Sequence, residues 1–156
     1  MTVPRTAVRR TCRSPAATRA LGARLGAAAR AGDVIALDGP LGAGKTELAR
    51  GIARGLGVTE PVASPTFILV AEHEGRVPLF HVDCYRVAGP ADALAAGILD
   101  DRAADGVTVI EWAERLAGAL PPGRLDVAID GAGDGPRALI LQATDPRHAL
   151  LLEALA

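Results

Sequence analysis

Apolar positions recur along the chain in two ways, which predict strands and helices in turn. Short continuous apolar runs predict buried strands at 34–37 and 107–110. Between them, Leu48 and Ile52 belong to a stripe that recurs every four residues and predicts a helix over 45–56. Strands that alternate with helices are typical of the α/β class.

Turn and cap residues predict the remaining elements. Ser14 followed by Pro15 is typical of a helix N-cap and first helical position, so a helix should run from there to about Gly32. Further helices are predicted at 90–97 and 146–155, and further strands at 67–71, 77–82, 125–129 and 138–141. The close strand–turn–strand pairs predict antiparallel neighbours. We therefore expect one α/β domain over 14–156, with a mixed parallel and antiparallel sheet flanked by helices.

Length and composition narrow the class of protein. A chain of 156 residues, 49% apolar and 22% charged, can bury one core and is not disordered by composition. No apolar run approaches the roughly 20 residues of a membrane span. Two cysteines form no disulfide framework, and three histidines show no metal-ligand spacing. These features favour a reducing, soluble compartment and hence the cytoplasm.

Charge is spread unevenly. Residues 1–32 contain seven arginines and no acid and carry +7, whereas the rest of the chain carries −8. Such a segment can be a transit peptide or a footprint for nucleic acid. It can also be a ragged basic terminus over 1–13 followed by a helix with arginines on its outer face. The third interpretation is favoured because basic patches are common and weakly diagnostic.

Residues 39–46 carry the most specific motif. Their sequence fits G-x-x-x-x-G-K-[ST], with a buried strand before it and an amphipathic helix after it. Glycines let backbone N–H groups approach phosphate oxygens closely, and the helix N-terminus adds positive potential there. Lys45, the only lysine of the chain, can reach the terminal phosphates, and the Thr46 hydroxyl can bind Mg²⁺. The predicted cofactor-binding residues of this P-loop are Gly39, Leu41, Gly42, Ala43, Gly44, Lys45, Thr46 and Glu47.

A P-loop enzyme also needs an acid at the end of another strand to help hold the metal. Glu111 follows the apolar run at 107–110, and Asp83 ends the earlier pattern at 79–83. Carboxyl ends of strands are where an open α/β sheet builds its site. Either acid fits the metal role, and two carboxylates also fit two roles, one toward the metal and one toward the attacking water.

Rival classes can be compared by their motifs. A GTPase needs an N-K-x-D motif, which a chain without asparagine cannot supply, and the L-S-G-G-Q motif of ABC ATPases is missing. A small-molecule kinase stays open, although 90–106 has only one arginine for a lid. A binding module that is gated by nucleotide and has little turnover also stays open.

Four motifs occur together in a particular order. The P-loop is followed by Ser64-Pro65-Thr66-Phe67, then by His81-Val82-Asp83-Cys84-Tyr85-Arg86, then by Glu111-Trp112. Over 14–142 the chain thereby resembles the bacterial TsaE (YjeE) family, P-loop ATPases of tRNA threonylcarbamoyladenosine biosynthesis. The resemblance implies Mg²⁺-dependent ATP hydrolysis that is weak without partners. It implies TsaB and TsaD as those partners, with tRNA reached indirectly through the complex and no membrane involved.

The same resemblance implies roles for individual residues. Glu111 would join Thr46 on the metal, and Asp83 would be the catalytic carboxylate, with Lys45 on the phosphates. Thr66, which Pro65 restrains to an extended turn, would sense the nucleotide.

Other matching positions leave their roles open. Trp112 fits a half-buried ring as well as a nucleotide contact, and Arg86 fits a structural ion pair as well as a transition-state cation. Two positions depart from the family pattern. Pro40 replaces an acidic residue in the turn, where little effect is expected. Glu47 replaces a small or hydroxyl residue and would add negative charge near the phosphates, although a carboxylate suits the first helical turn.

Overall fold

The computed structural model describes residues 6–63, 70–87 and 101–156 of the chain. The strands of this part are β1 (Ala7–Cys12), β2 (Val34–Asp38), β3 (Val70–His73), β4 (Leu79–Asp83), β5 (Val107–Glu111), β6 (Leu125–Asp130) and β7 (Arg137–Ala143). Its α-helices are α1 (Pro15–Ala28), α2 (Lys45–Gly55) and α3 (Pro146–Glu153). The predicted helix at 90–97 and most of the predicted strand at 67–71 lie outside the described residues.

All seven strands form one sheet in the order β1-β7-β6-β2-β5-β4-β3. The four central strands, β6, β2, β5 and β4, are parallel to one another. On one side β7 and β1 continue the sheet antiparallel, and on the other side β3 does so. The predicted mixed sheet is therefore confirmed. The parallel centre brings the carboxyl ends of β2, β5 and β4 to the same edge.

The N-terminal segment corrects one expectation. Instead of a ragged terminus over 1–13, residues 7–12 form β1, which pairs with β7 from Ala7–Gln142 to Cys12–Arg137. Val8 and Cys12 are buried in the main core, and the Arg10 guanidinium donates to the Leu155 carbonyl. The pairing joins residues more than a hundred positions apart, so no local pattern indicates it.

All three α-helices of the described residues pack on one face of the sheet. The first two approach to backbone contact: a Cβ added to Gly26 or Gly51 would collide with a carbonyl oxygen of the other helix. Glycines at this contact allow α2, the helix that follows the P-loop, to pack directly against the backbone of α1. A second, smaller core covers the other face with residues of β2, β4 and β5 and the loops that follow β4 and β5. Within the described ranges, no helix has the length and hydropathy to cross a membrane.

The start of α1 confirms the predicted cap residue, and α3 has a cap of the same kind. Ser14 accepts from the Ala17 N–H at 3.0 Å, as expected of an N-cap, and Asp145 caps α3 in the same way. However, α1 ends at Ala28 rather than near Gly32. Its terminal carbonyls find another donor there, because the Arg76 guanidinium binds the Gly26 and Ala29 oxygens.

Candidate functional site

The P-loop lies between β2 and α2, at the carboxyl edge of the parallel strands. Gly44 caps α2 in the left-handed conformation with φ 109°, and a Cβ on Gly39 would collide with the Ile129 carbonyl. Glycine is needed at both positions for these reasons. Leu41 lies at the tip with 77% of its surface exposed, whereas Ala43 is buried.

The Lys45 side chain is folded back onto its own loop. Its ammonium donates to the carbonyls of Gly39 at 2.5 Å and Pro40 at 2.9 Å, and lies 3.9 Å from the centre of the Trp112 ring. Burial lowers the pKa of this ammonium, and nearby carboxylates, Glu114 first, partly offset that effect. The positive charge of Lys45 is therefore bound to carbonyls of its own loop, beside the position where a P-loop binds phosphate.

Thr46 and Glu111 meet across the site. The Thr46 hydroxyl donates to Glu111 Oε1 at 2.8 Å, so the second position of α2 is tied to the end of β5. Glu111 is almost fully buried, and His81 Nε2 lies 2.5 Å from its other oxygen. Hydroxyl and carboxylate oxygens are hard ligands of the type that Mg²⁺ takes.

Asp83 lies beside Glu111 on the neighbouring strand. The two residues are direct partners in the parallel register of β4 and β5, so both carboxylates lie on the face of α2. The Tyr85 N–H donates to Asp83 Oδ1 at 2.9 Å and fixes the orientation of that carboxylate. The geometry therefore brings together Lys45, Thr46, Glu111 and Asp83, four residues that the sequence nominated.

Asp38 and Glu114 form a second pair of acidic residues at the site, which the sequence analysis did not predict. Asp38 ends β2 directly before the P-loop, and its Oδ1 accepts from the Glu114 N–H at 2.9 Å. Burial, together with a side-chain hydrogen bond and charge repulsion from Glu114, raises the pKa of Asp38 to about 7. The argument that nominated Asp83 and Glu111, an acid at a strand end, applies equally to Asp38 and could have found it.

The aromatic residues form the wall next to Lys45. Trp112 is half-buried, has a left-handed backbone with φ 58°, and its ring lies 5.0 Å from that of Tyr85. The ring packs against the smaller core and also contacts the Lys45 ammonium, so both interpretations of Trp112 retain a basis. Arg86 is exposed. Thr66 lies outside the described residues, and its role stays a prediction.

Glu47 does not present an uncompensated charge to the loop. Its carboxylate accepts from Arg19 of α1 at 2.5 Å and from Arg50 at 2.7 Å. Arg50 also donates to the Val62 carbonyl at 2.8 Å. Two cations thus neutralise the acid that departs from the family pattern.

Arg137 fixes the outer side of the P-loop, and no sequence signal indicated it. Its guanidinium donates to the carbonyls of Gly42 and Ala43 in the loop, and to those of Gly133 and Gly135 between β6 and β7. These bonds connect the P-loop to the segment between β6 and β7. Beside them lies a pocket of about 270 Å³. Its lining includes Arg13 and Ser14 directly before α1 and Thr18 in its first turn, together with the P-loop and the loop at 133–135.

The site has too few protein ligands to coordinate a metal ion unless a nucleotide and water supply the others. Among the described ranges, no cluster of three or more His, Cys, Asp or Glu side chains has the arrangement of a metal site. Mg²⁺ is commonly held by one or two protein oxygens, with phosphates and water completing the octahedron. The oxygens of Thr46 and Glu111 fit that requirement, since they lie together at the start of α2.

Comparisons with known proteins agree with this geometry. Residues 12–139 match the family model "Threonylcarbamoyl adenosine biosynthesis protein TsaE". The tRNA threonylcarbamoyladenosine biosynthesis protein TsaE of Bacillus subtilis (strain 168) is 39% identical over 144 residues, which cover 92% of this chain and 90% of that protein. The protein of the same name from Streptomyces coelicolor is 45% identical over 117 residues, 73% of this chain and 79% of its own.

A solved structure extends the likeness to three dimensions. The crystal structure of Bacillus subtilis YdiB superposes with a TM-score of 0.79 at 35% identity, covering 96% of this chain and 93% of that one. Sequence and fold agree over most of both chains, and the P-loop lies within the matched residues. The chain belongs to the TsaE family.

Proposed function

We propose that this chain binds Mg·ATP at the P-loop and hydrolyses it as an accessory of tRNA threonylcarbamoyladenosine biosynthesis, acting with TsaB and TsaD. The observation that carries the proposal is the 2.8 Å bond between Thr46 and Glu111, with Asp83 beside Glu111 on the next strand. A metal-side pair and a second carboxylate at the mouth of a P-loop are the parts that phosphoryl transfer to water requires. A function in tRNA modification would place the protein in the cytoplasm.

The triphosphate would be held by backbone and cation together. The N–H groups of residues 44–46 at the N-terminus of α2 would provide donors and positive potential, whereas the Ala43 N–H is bound to the Pro40 carbonyl at 3.1 Å. Lys45 would leave the Gly39 and Pro40 carbonyls and extend to the terminal phosphates, recovering as ion pairs what it loses in these bonds. The pocket beside Arg137, which adjoins the same loop, has room for the nucleoside.

The two carboxylates would divide the remaining work. Glu111 and Thr46 would hold Mg²⁺, which when bound neutralises charge on the phosphate oxygens. Asp83, oriented by the Tyr85 N–H, would accept a proton from the attacking water and align it with the terminal phosphate.

The resting position of Lys45 supports weak turnover without partners. Its ammonium is engaged by two carbonyls and one aromatic ring, so the phosphate site must first be assembled. A partner that favours the extended lysine would raise the hydrolysis rate. The same observation favours a second candidate, a module whose ATP-bound state matters more than its turnover.

Phosphate release tests the proposal. The chain with Mg·ATP should release phosphate slowly alone and faster with TsaB and TsaD, and its association with them should require ATP. Association that needs ATP without faster release would favour the gated module. Transfer of phosphate to a small acceptor would instead identify a kinase, and an absence of ATP binding would refute the proposal. Thr46→Ala provides the matched control, because it should bind nucleotide and lose the magnesium dependence.

A further inference from the structure

His81 lies in the middle of β4, the strand next to the edge strand β3, two residues before Asp83. Its side chain is fully buried in β4, on the strand face that also carries Asp83. Its neighbours Leu79 and Val82 are buried apolar residues, as expected of a central parallel strand. A polar ring in such a position costs free energy unless its hydrogen bonds compensate for the lost water.

The polar contact of this ring is with Glu111. Nε2 lies 2.5 Å from Glu111 Oε2, and because a carboxylate accepts, the proton of the ring lies on Nε2. Nδ1 is buried and has no hydrogen-bond partner in the part of the chain that the structure describes. The ring is therefore only half satisfied, which is a poor arrangement for stability alone.

The bond fixes the one Glu111 oxygen that Thr46 does not. Thr46 donates to Oε1 at 2.8 Å and His81 binds Oε2 at 2.5 Å, so the carboxylate is held from both sides. A glutamate otherwise has three freely rotating side-chain bonds, whereas a metal ligand must stay in one orientation. Residues that orient metal ligands in this way commonly change metal affinity by about 10- to 100-fold when they are altered.

We infer that His81 is a positioning residue, which holds Glu111 so that its Oε1 faces the divalent cation of the nucleotide complex. The inference rests on the proposed function, since it needs a metal at Thr46 and Glu111. His81 touches neither nucleotide nor metal, and it acts through Glu111 alone.

Two substitutions separate positioning from packing. His81→Gln keeps an N–H donor at the distance of Nε2, whereas His81→Asn places its amide nearer the strand, out of reach of Glu111. Both are polar and smaller than histidine. The controls are wild type and Thr108→Val, which alters a buried hydroxyl of β5 that has no hydrogen-bond partner within residues 6–63, 70–87 and 101–156.

The readout is binding of Mn²⁺ in the presence of ADP, followed by the electron paramagnetic resonance of free Mn²⁺, with calorimetry of ADP binding in EDTA. His81→Asn should raise the Mn²⁺ dissociation constant about tenfold or more, and His81→Gln should stay within about threefold of wild type. ADP affinity without metal should change less than about twofold in both. In a Glu111→Gln background, His81→Asn should have no further effect on Mn²⁺ binding.

Equal losses in the Asn and Gln variants, no loss in either, or an equal loss of metal-free ADP affinity would overturn the inference. If the Asn variant does not fold, His81→Leu, which removes the donor at a volume close to that of histidine, replaces it with the same expected tenfold loss, and unchanged Mn²⁺ affinity in that folded variant contradicts the inference. A wild-type chain that binds no ADP would refute the proposed function itself. Normal Mn·ADP binding that His81→Asn leaves unchanged would refute only the role of His81.

Discussion

Buried histidines lie toward both ends of the parallel strands, and they are held in opposite ways. At the amino end, His148 of α3 accepts from the Val34 N–H at 3.0 Å and its Nδ1 lies 2.8 Å from Asp145. Both of its nitrogens have partners: the bond from Val34 joins α3 to β2, and the contact with Asp145 lies within the cap of α3. Toward the carboxyl end, His81 binds Glu111 through one nitrogen, and the other has no partner among the described residues.

The charged groups near the two histidines differ in the same way: they are paired at the amino end and have shifted pKa values at the carboxyl end. Near His148, Asp33 accepts from Arg147 and from the Arg30 N–H, so the buried acid is paired. At the carboxyl end, Lys45 is buried with a lowered pKa and Asp38 has a raised one. Buried polar groups whose hydrogen bonds are all made stabilise a fold. Buried polar or charged groups with unmade interactions destabilise it, and they are typical of sites where a ligand supplies the missing partner. We therefore expect substitutions at the amino end to affect stability and those at the carboxyl end to affect binding.

The largest effect is expected from Lys45→Ala. Loss of the only lysine should weaken ATP binding by about 3 kcal/mol, or roughly 10²-fold, since no other cation of the loop reaches the terminal phosphates. The free energy of unfolding without nucleotide should not fall, because burial makes the charged ammonium costly. Calorimetric titration with ATP and urea unfolding measure the two quantities. Arg54→Ala, an exposed cation in the last turn of α2, is the control. Unchanged affinity would refute the P-loop assignment.

The matching test at the amino end is His148→Leu. It leaves the Val34 N–H buried without an acceptor and should lower the unfolding free energy by about 3 kcal/mol. ADP affinity should stay within about twofold, because α3 is remote from the P-loop. Urea denaturation of this variant can be compared with Leu150→Gln, an exposed position on the same helix, where less than about 0.5 kcal/mol is expected. An unfolding free energy of His148→Leu equal to that of wild type would contradict the claim that the polar contacts at the amino end stabilise the fold.

The two ends should also respond oppositely to pH. Burial and Glu114 raise the pKa of Asp38 from 3.8 to about 7, so the stability from its protonated form is lost as the pH rises across that interval. Burial acts to raise the pKa of Asp145, but hydrogen bonds from His148 outweigh it and lower that pKa. Its contribution is therefore present above pH 3.8 and is lost as the pH falls below that value.

Urea unfolding from pH 3 to 9 separates the two contributions. Asp38→Asn should remove the decline between pH 3.8 and about 7. Asp145→Asn should flatten the acid limb. If Asp38→Asn left the decline unchanged, the raised pKa assigned to Asp38 would be contradicted.

The smallest effect concerns Glu47. Because Arg19 and Arg50 neutralise it, Glu47→Gln should change ATP affinity by about 0.5 kcal/mol, or roughly twofold. Arg19→Gln should weaken ATP binding more, since it exposes the phosphates to the remaining carboxylate. A stronger gain in affinity from Glu47→Gln than about tenfold would show that the neutralisation is incomplete. Calorimetry of both variants at one ionic strength makes the comparison.

Local patterns were sufficient to predict the elements that surround the site. The P-loop, the Ser14 cap and the strands that end at Asp83 and Glu111 are each encoded within a few neighbouring residues. Strand β1 was missed because its register comes from β7 rather than from its own alternation.

The same limit applies to side chains. The contacts of Arg137 with the P-loop, and of His148 with Val34, join residues about a hundred positions apart, and neither has a local signature. The pairing of Asp38 with Glu114 likewise depends on the path of the chain after β5. The sequence therefore predicted the residues proposed to contact the ligand, and it included His81 and Tyr85 in a motif without indicating that they contact Glu111 and Asp83.

The division of work between Asp83 and Glu111 is the central claim, and paired titrations of Asp83→Asn and Glu111→Gln test it most directly. Asp83→Asn should bind Mg·ATP nearly as well as wild type and lose roughly 10²-fold or more in turnover, the scale of a general base. Glu111→Gln should instead raise the Mg²⁺ concentration needed for nucleotide binding and hydrolysis. If Asp83→Asn raised the magnesium requirement while Glu111→Gln lost only turnover, the two roles would be reversed. If neither variant changed turnover, the account of the site would be contradicted.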